Sequence, residues 1–185
     1  MVNISTADLR EPRVFLYIIV WFLAMISFGC VAGPDYRDSG SLAGACPGSF
    51  KYDSLDAICN NDVIGKSSWK SSGVFMVAIG VIVFIWAFVM TVAHVVFPSK
   101  LPLSMPIIEL GVNIAMVFLF IIASAVWAKT VSDIGDELTS FGISFTTWRA
   151  GAAFGFLSTF ALLALAVFIA LSIRRGAPAA APAVV

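Results

Sequence analysis

Few side chains in this sequence can do chemistry, and their positions decide which chemistry that is. Glu109 stands at the start of a long apolar stretch, and Asn113 follows four residues later. Residues at i and i+4 share one face of a helix. His94, the chain's one histidine, lies near the end of another apolar stretch. A carboxylate or imidazole held inside a bilayer marks an ion path or a proton relay, but a charge at a span end costs far less than one at the centre. Glu109 therefore reads as a boundary residue that reaches the interface, and His94 as interfacial rather than as a relay. Asn113, one turn deeper, is placed to point into a bundle and hydrogen-bond across helices. A transporter or channel would line its path with several such groups or use broken helices. The other polar residues near the stretch centres are scattered hydroxyls, such as Ser27, Thr91, Ser124 and Ser158, which as a class bond back to their own helix.

The remaining reactive groups are three cysteines. Cys46 and Cys59 lie in a segment rich in Gly, Ser and Asp. On an oxidising face of the membrane such a pair forms a disulfide, worth roughly 3 kcal/mol for so short a loop. The alternative is two free thiols in a mobile loop. Cys30 reads as a small buried apolar residue at the end of the first stretch. Its pairing with a loop cysteine stays open, because sequence does not fix connectivity. No acid stands beside His94 in sequence, and no HExxH, GxSxG or P-loop pattern occurs. No catalytic residue, metal-ligand set or cofactor is expected. The formal net charge of +0 argues against nucleic acid as a partner.

The elements that carry these residues follow from composition. Of 185 residues, 60% are hydrophobic and 12% charged, whereas a soluble domain carries about 25% charged residues. A water-soluble enzyme is thereby excluded. Val14 to Pro34, Ser71 to Ser99, Leu110 to Ala128 and Ala150 to Ile173 contain no Asp, Glu, Lys or Arg. Each is long enough to cross about 30 Å of hydrocarbon as a helix, the default span in lipid. The expected fold class is all-α: an integral membrane four-helix bundle over 14–173. Its spans fall at about 14–34, 73–97, 107–128 and 150–173, with non-cytosolic loops at 35–72 and 129–149. The first window exceeds the roughly 7–15 residues of a cleaved signal core, so it is read as a span.

Four spans put both termini on one side. Arg10, Arg13, Lys100, Arg174 and Arg175 cluster on short segments of that side, which makes it cytosolic by the positive-inside rule. On this topology the Asn3 sequon stays unmodified. Residues 1–13 form a cytosolic N-terminus, and the Gly-Ala-Pro-rich 174–185 a disordered cytosolic tail. Pro98, Pro102 and Pro106 make the connection between spans two and three a tight turn.

Two pairs of small residues suit close helix packing: Gly29 with Gly33 in span one, and Gly151 with Gly155 in span four. Packing within the bundle is favoured over homodimerisation. Trp69, Trp127 and Trp148 lie near the non-cytosolic interface, as an aromatic belt would. Trp21 and Trp86 are deeper and are expected to pack in the bundle.

Glu11-Pro12-Arg13 followed by Phe15, Trp21, Ala24, Phe28 and Cys30 is similar to the first span of synaptogyrins and synaptophysins. Phe97-Pro98 ending span two resembles synaptogyrins. Ser124-Ala125-Val126-Trp127-Ala128-Lys129, then Ser132-Asp133, resembles a synaptophysin Ser-Ala-Trp-Ala-Lys-Gly-Leu-Ser-Asp stretch, and Arg149-Ala150 leading into Phe154-Gly155-Phe156-Leu157-Ser158 that branch's fourth span. With the four spans and the longer first loop, the chain resembles the MARVEL tetraspan class. It departs from synaptophysins in having no cysteine in the second loop and no long tyrosine-rich tail. The resemblance implies a non-enzymatic organiser of secretory or synaptic-like vesicles, acting in vesicle formation or fusion. It also implies contact with membrane lipids and with a vesicle SNARE, the vacuolar proton pump or further copies of itself. The alternatives are a MARVEL-type protein of cell junctions or cell fusion, and an oligomeric channel subunit built on Glu109 and Asn113.

Overall fold

The computed structural model describes residues 12–33, 57–59, 62–64, 67–96, 105–138 and 146–174. Four helices carry most of them: α1 (Pro12–Ala32), α2 (Ser67–Val96), α3 (Met105–Leu138) and α4 (Thr146–Arg174). Pro12 opens α1, where a missing N–H costs nothing. α2 ends at Val96, just before Phe97-Pro98, and α3 has Pro106 in its first turn. The helices run from about 32 Å (α1) to about 51 Å (α3), and each contains a stretch apolar enough to cross a membrane. The chain is a multi-pass membrane protein of the all-α class.

The helices outrun the charge-free windows. α2 begins at Ser67 and α3 continues through Lys129 to Leu138, so much of the expected second loop, 129–149, is helix. Charge limits what crosses lipid, but it does not end a helix. Within the first loop, β1 (Ala57–Cys59) and β2 (Asp62–Ile64) pair antiparallel, with Ile58 opposite Val63 and Cys59 opposite Asp62. Cys46 lies outside the described residues, as does the side chain of Cys59. Cys30 is a half-buried free thiol.

α1 packs against α2 and α4, and α3 against α4, while α2 and α3 meet along a thinner seam. The inward stripe of α1 is Val14, Tyr17, Val20, Ala24, Ser27 and Val31, spaced three or four apart as a one-sided helical stripe must be. The outward faces are equally apolar: Phe15, Phe118 and Phe160 are each at least 60% exposed, which suits lipid rather than water.

Glycine sets the closest helix approaches. A Cβ on Gly151 of α4 would meet Val31 Cγ2 at 2.7 Å and the Ser27 carbonyl oxygen at 3.1 Å on α1. The Ser27 hydroxyl donates across this crossing to the Gly151 carbonyl at 2.9 Å. A Cβ on Gly155 would collide with Ser124 of α3 and with Met76 Cε of α2 at 2.7 Å. The pair in α1 behaves otherwise. Nothing among the described residues lies within 4 Å of a Cβ on Gly29, and a Cβ on Gly33 would meet only Gly29's own carbonyl group. Among the described residues, Gly29 and Gly33 thus meet no other helix of the bundle. They lie off the inward stripe of Ser27 and Val31. Besides Gly151, the glycine that faces α1 is Gly80 of α2, where a Cβ would come within 2.8 Å of Phe28 Cβ.

The aromatic belt is corrected. Trp69, Trp127 and Trp148 are at most 3% exposed. Trp127 and Trp148 meet edge to face at 5.5 Å, and the Trp127 indole N–H donates to the Trp148 carbonyl at 3.3 Å. These tryptophans lie near one end of the bundle but plug its interior.

Candidate functional site

At the other end, five side chains from three helices form a polar cluster. α1 contributes Tyr17, α2 contributes Trp86 and His94, and α3 contributes Glu109 and Asn113. α2 and α3 follow one another in the chain and pack side by side. Residues at similar distances from the end of α2 and the start of α3 meet, as Trp86 does with Asn113 and His94 with Glu109. Tyr17 sits on the inward stripe of α1 and reaches diagonally across the bundle to α3.

The hydrogen bonds run in one direction. The Trp86 indole N–H donates to Asn113 Oδ1 at 3.1 Å. The Asn113 amide Nδ2 donates to the Tyr17 hydroxyl at 2.9 Å. That hydroxyl donates to Glu109 Oε1 at 2.8 Å. Every donor is aimed toward the carboxyl group, so the dipoles favour negative charge there. His94 Nε2 approaches the same oxygen to 3.4 Å, yet it makes no hydrogen bond among the described residues. The rings of Tyr17 and His94 stack at 6.0 Å.

This geometry revises two expectations. Glu109 is not a boundary residue reaching water: it is 1% exposed. Tyr17 and Asn113 supply the polar company that makes this tolerable in lipid. His94, two residues from the end of α2, is likewise buried, being 7% exposed and turned to Glu109. Asn113 is fully buried and bonded to both α1 and α2. Sequence reasoning missed Tyr17, although it is the only tyrosine inside the four apolar windows. It also sought an acid partner for His94 only nearby in sequence, where folding the two stretches about their turn points to Glu109.

The hydroxyls divide. Thr91 donates to the Ala87 carbonyl and Ser158 to the Phe154 carbonyl, each within its own helix. Ser27 instead bonds across to α4, and buried Ser124 has no hydrogen-bond partner among the described residues but packs against Gly155. At the end of α1, Arg13 donates to the Ser172 hydroxyl of α4, tying the first helix to the last beside the cluster. No group of three or more His, Cys, Asp or Glu suited to a metal occurs among the described residues.

No curated protein matches the chain. The family model of MARVEL, a membrane-associating domain, matches residues 8–168, from just before α1 to within the last two turns of α4. Four apolar helices closed into one bundle, matched along nearly their whole length, place this chain in the MARVEL family of membrane-associating domains.

Proposed function

We propose that the protein is a non-enzymatic organiser of secretory or synaptic-like vesicle membranes, with both termini in the cytosol. One observation carries this reading: the described surface of the bundle is chiefly apolar helix face, with Phe, Ile, Leu and Val outward on all four helices. Such a surface meets partners laterally, through lipid or through other membrane helices. The synaptogyrin- and synaptophysin-like motifs in spans one and four support the vesicle assignment. The vesicle SNARE and proton-pump partners rest on that resemblance. Glu109 and Asn113 face the interior and are hydrogen-bonded there, which counts against a channel path shared between subunits.

Tagged protein, imaged and used for proximity labelling in a secretory cell, tests the reading. Labelling dominated by vesicle membrane proteins is the expected result. Protein confined to cell–cell contacts and absent from intracellular vesicles would reject it. In that event the junction or fusion reading takes over, with the first loop as its instrument: the hairpin Ala57–Cys59 and Asp62–Ile64 shows local order beside Cys59, and a Cys46–Cys59 disulfide would close it. Loss of adhesion on replacing both cysteines then supports that alternative.

A further inference from the structure

We propose that His94 and Glu109 form an intramembrane proton-binding site whose occupancy closes the seam between α2 and α3. This goes beyond the organiser reading and does not depend on it. Three observations meet here. First, His94 is 7% exposed and Glu109 1% exposed, with Nε2 and Oε1 3.4 Å apart. Second, Nε2 has no hydrogen-bond partner among the described residues and is turned to that carboxyl oxygen. Third, the relay from Trp86 through Asn113 and Tyr17 already aims its donors at the same oxygen.

The chemistry is the addition of one proton. With His94 neutral and Glu109 ionised, the pair carries a charge of −1. In the Nδ1–H tautomer a Nε2 lone pair then faces a carboxylate, acceptor against acceptor, whereas in the Nε2–H tautomer the ring donates but carries no charge. A proton from the aqueous phase forms an N–H bond at the ring nitrogen that carries the lone pair, and nothing else is made or broken. The pair becomes neutral overall, and in the imidazolium Nε2–H donates to Glu109 Oε1 whichever nitrogen took the proton. A neutral, charge-assisted contact suits a low-dielectric site far better than a lone buried charge. Closing 3.4 Å to the length of a charge-assisted hydrogen bond requires a shift of about half an ångström.

The site's position gives this proton its effect. α2 and α3 share the thinnest seam of the bundle, and the cluster supplies its polar links. The other titratable and charged groups facing the pair are few among the described residues. α1 brings Tyr17, which donates to Glu109, and Arg13 one turn away, which is bound to Ser172. The charged residue at this end of α4, Arg174, is exposed.

The chain's single histidine makes the test direct. Histidine labelled with nitrogen-15 reports one imidazole in protein held in phosphatidylcholine nanodiscs, scanned over roughly pH 5 to 8. The expected wild-type result is one titration, with the protonated form showing a hydrogen-bonded Nε2–H. In Glu109→Gln the ratio of imidazolium to imidazole at the wild-type midpoint changes at least tenfold, and the hydrogen-bond signature is lost. Thermal stability in the same nanodiscs depends on pH in the wild type and loses that dependence in His94→Gln. Identical titrations in wild type and folded Glu109→Gln overturn the proposal. If Glu109→Gln does not fold, the wild-type scan decides alone: an imidazole that stays neutral throughout, or titrates as in water, overturns it.

Discussion

The bundle closes its two sides by different physics. Along α1/α4 and α3/α4, backbones approach over Gly151 and Gly155, and no charged group takes part in those glycine contacts. Along α2/α3, apolar packing is thinner and a chain of hydrogen bonds ends on a buried carboxyl group. A steric seam has one geometry and fails if volume is added. A polar seam depends on every partner being present and on protonation, so it can exist in more than one state. In lipid the distinction sharpens, because helix association draws on packing and hydrogen bonds rather than on a hydrophobic drive between helices.

Adding volume to the steric seam has the largest expected effect. Gly151→Leu would drive a side chain into Val31 and the Ser27 backbone oxygen, and backbone does not move aside. A loss of about 3 kcal/mol is expected, at the upper end of overpacking costs, read by SDS titration of helix content in bicelles. Gly155→Leu should cost less, about 2 kcal/mol, because one of its obstacles is the flexible end of Met76. An unchanged midpoint for Gly151→Leu would mean that the α1/α4 crossing is not the tight one.

Removing a partner from the polar seam comes next. Asn113→Leu orphans the Trp86 indole N–H and takes from Tyr17 its donor. A cost of about 2 kcal/mol follows from leaving buried polar groups unpaired. Combined with Gly151→Leu, the two losses should add to within about 0.5 kcal/mol, since the sites lie near opposite ends of the bundle and share no partner. Strong coupling in that double mutant would dissolve the distinction between the seams.

How much of this was legible in the sequence follows the same division. The span count was open to reading, because charge is what lipid excludes, and the charge-free windows fall on the four helices. The inward stripes were not, because lipid also accepts apolar residues and hydrophobicity alone does not separate Val20, facing in, from Phe22, facing out. Small and polar residues track the interior better: Ser27, Gly80, Asn113, Ser124, Gly151 and Gly155 all lie at helix contacts. Depth along a span was readable as well, yet depth does not give direction. Trp127 and Trp148 stand near the interface as a belt would, but they face inward. Glu109 and His94 lie near span ends, where exposure is cheap, but Tyr17 offers a buried hydrogen bond that only the folded bundle assembles.

Smaller effects probe the hydrogen bond inside the steric seam. Ser27→Ala removes its cross-helix donation to the Gly151 carbonyl. Interhelical hydrogen bonds in bilayers average about 0.6 kcal/mol, and a loss of that size is expected by the same SDS titration. A loss as large as that of Asn113→Leu would mean that the α1/α4 side is also held chiefly by polar contact.

The smallest expected effect is the most discriminating. Gly29 and Gly151 both belong to Gly-x-x-x-Gly pairs, and the pattern alone gives them equal standing. In the bundle they differ, since a Cβ on Gly29 meets nothing among the described residues and one on Gly151 meets α1. Gly29→Ala should therefore change stability by less than about 0.5 kcal/mol, with the higher helix propensity of alanine pushing toward a slight gain. If the isolated chain instead loses stability as Gly151→Leu does, α1 is rotated and its stripe is misassigned. If stability holds but a lateral complex in native membranes is lost, Gly29 and Gly33 form a contact with another chain. The motif would then serve association between proteins, while Gly151 and Gly155 serve the fold.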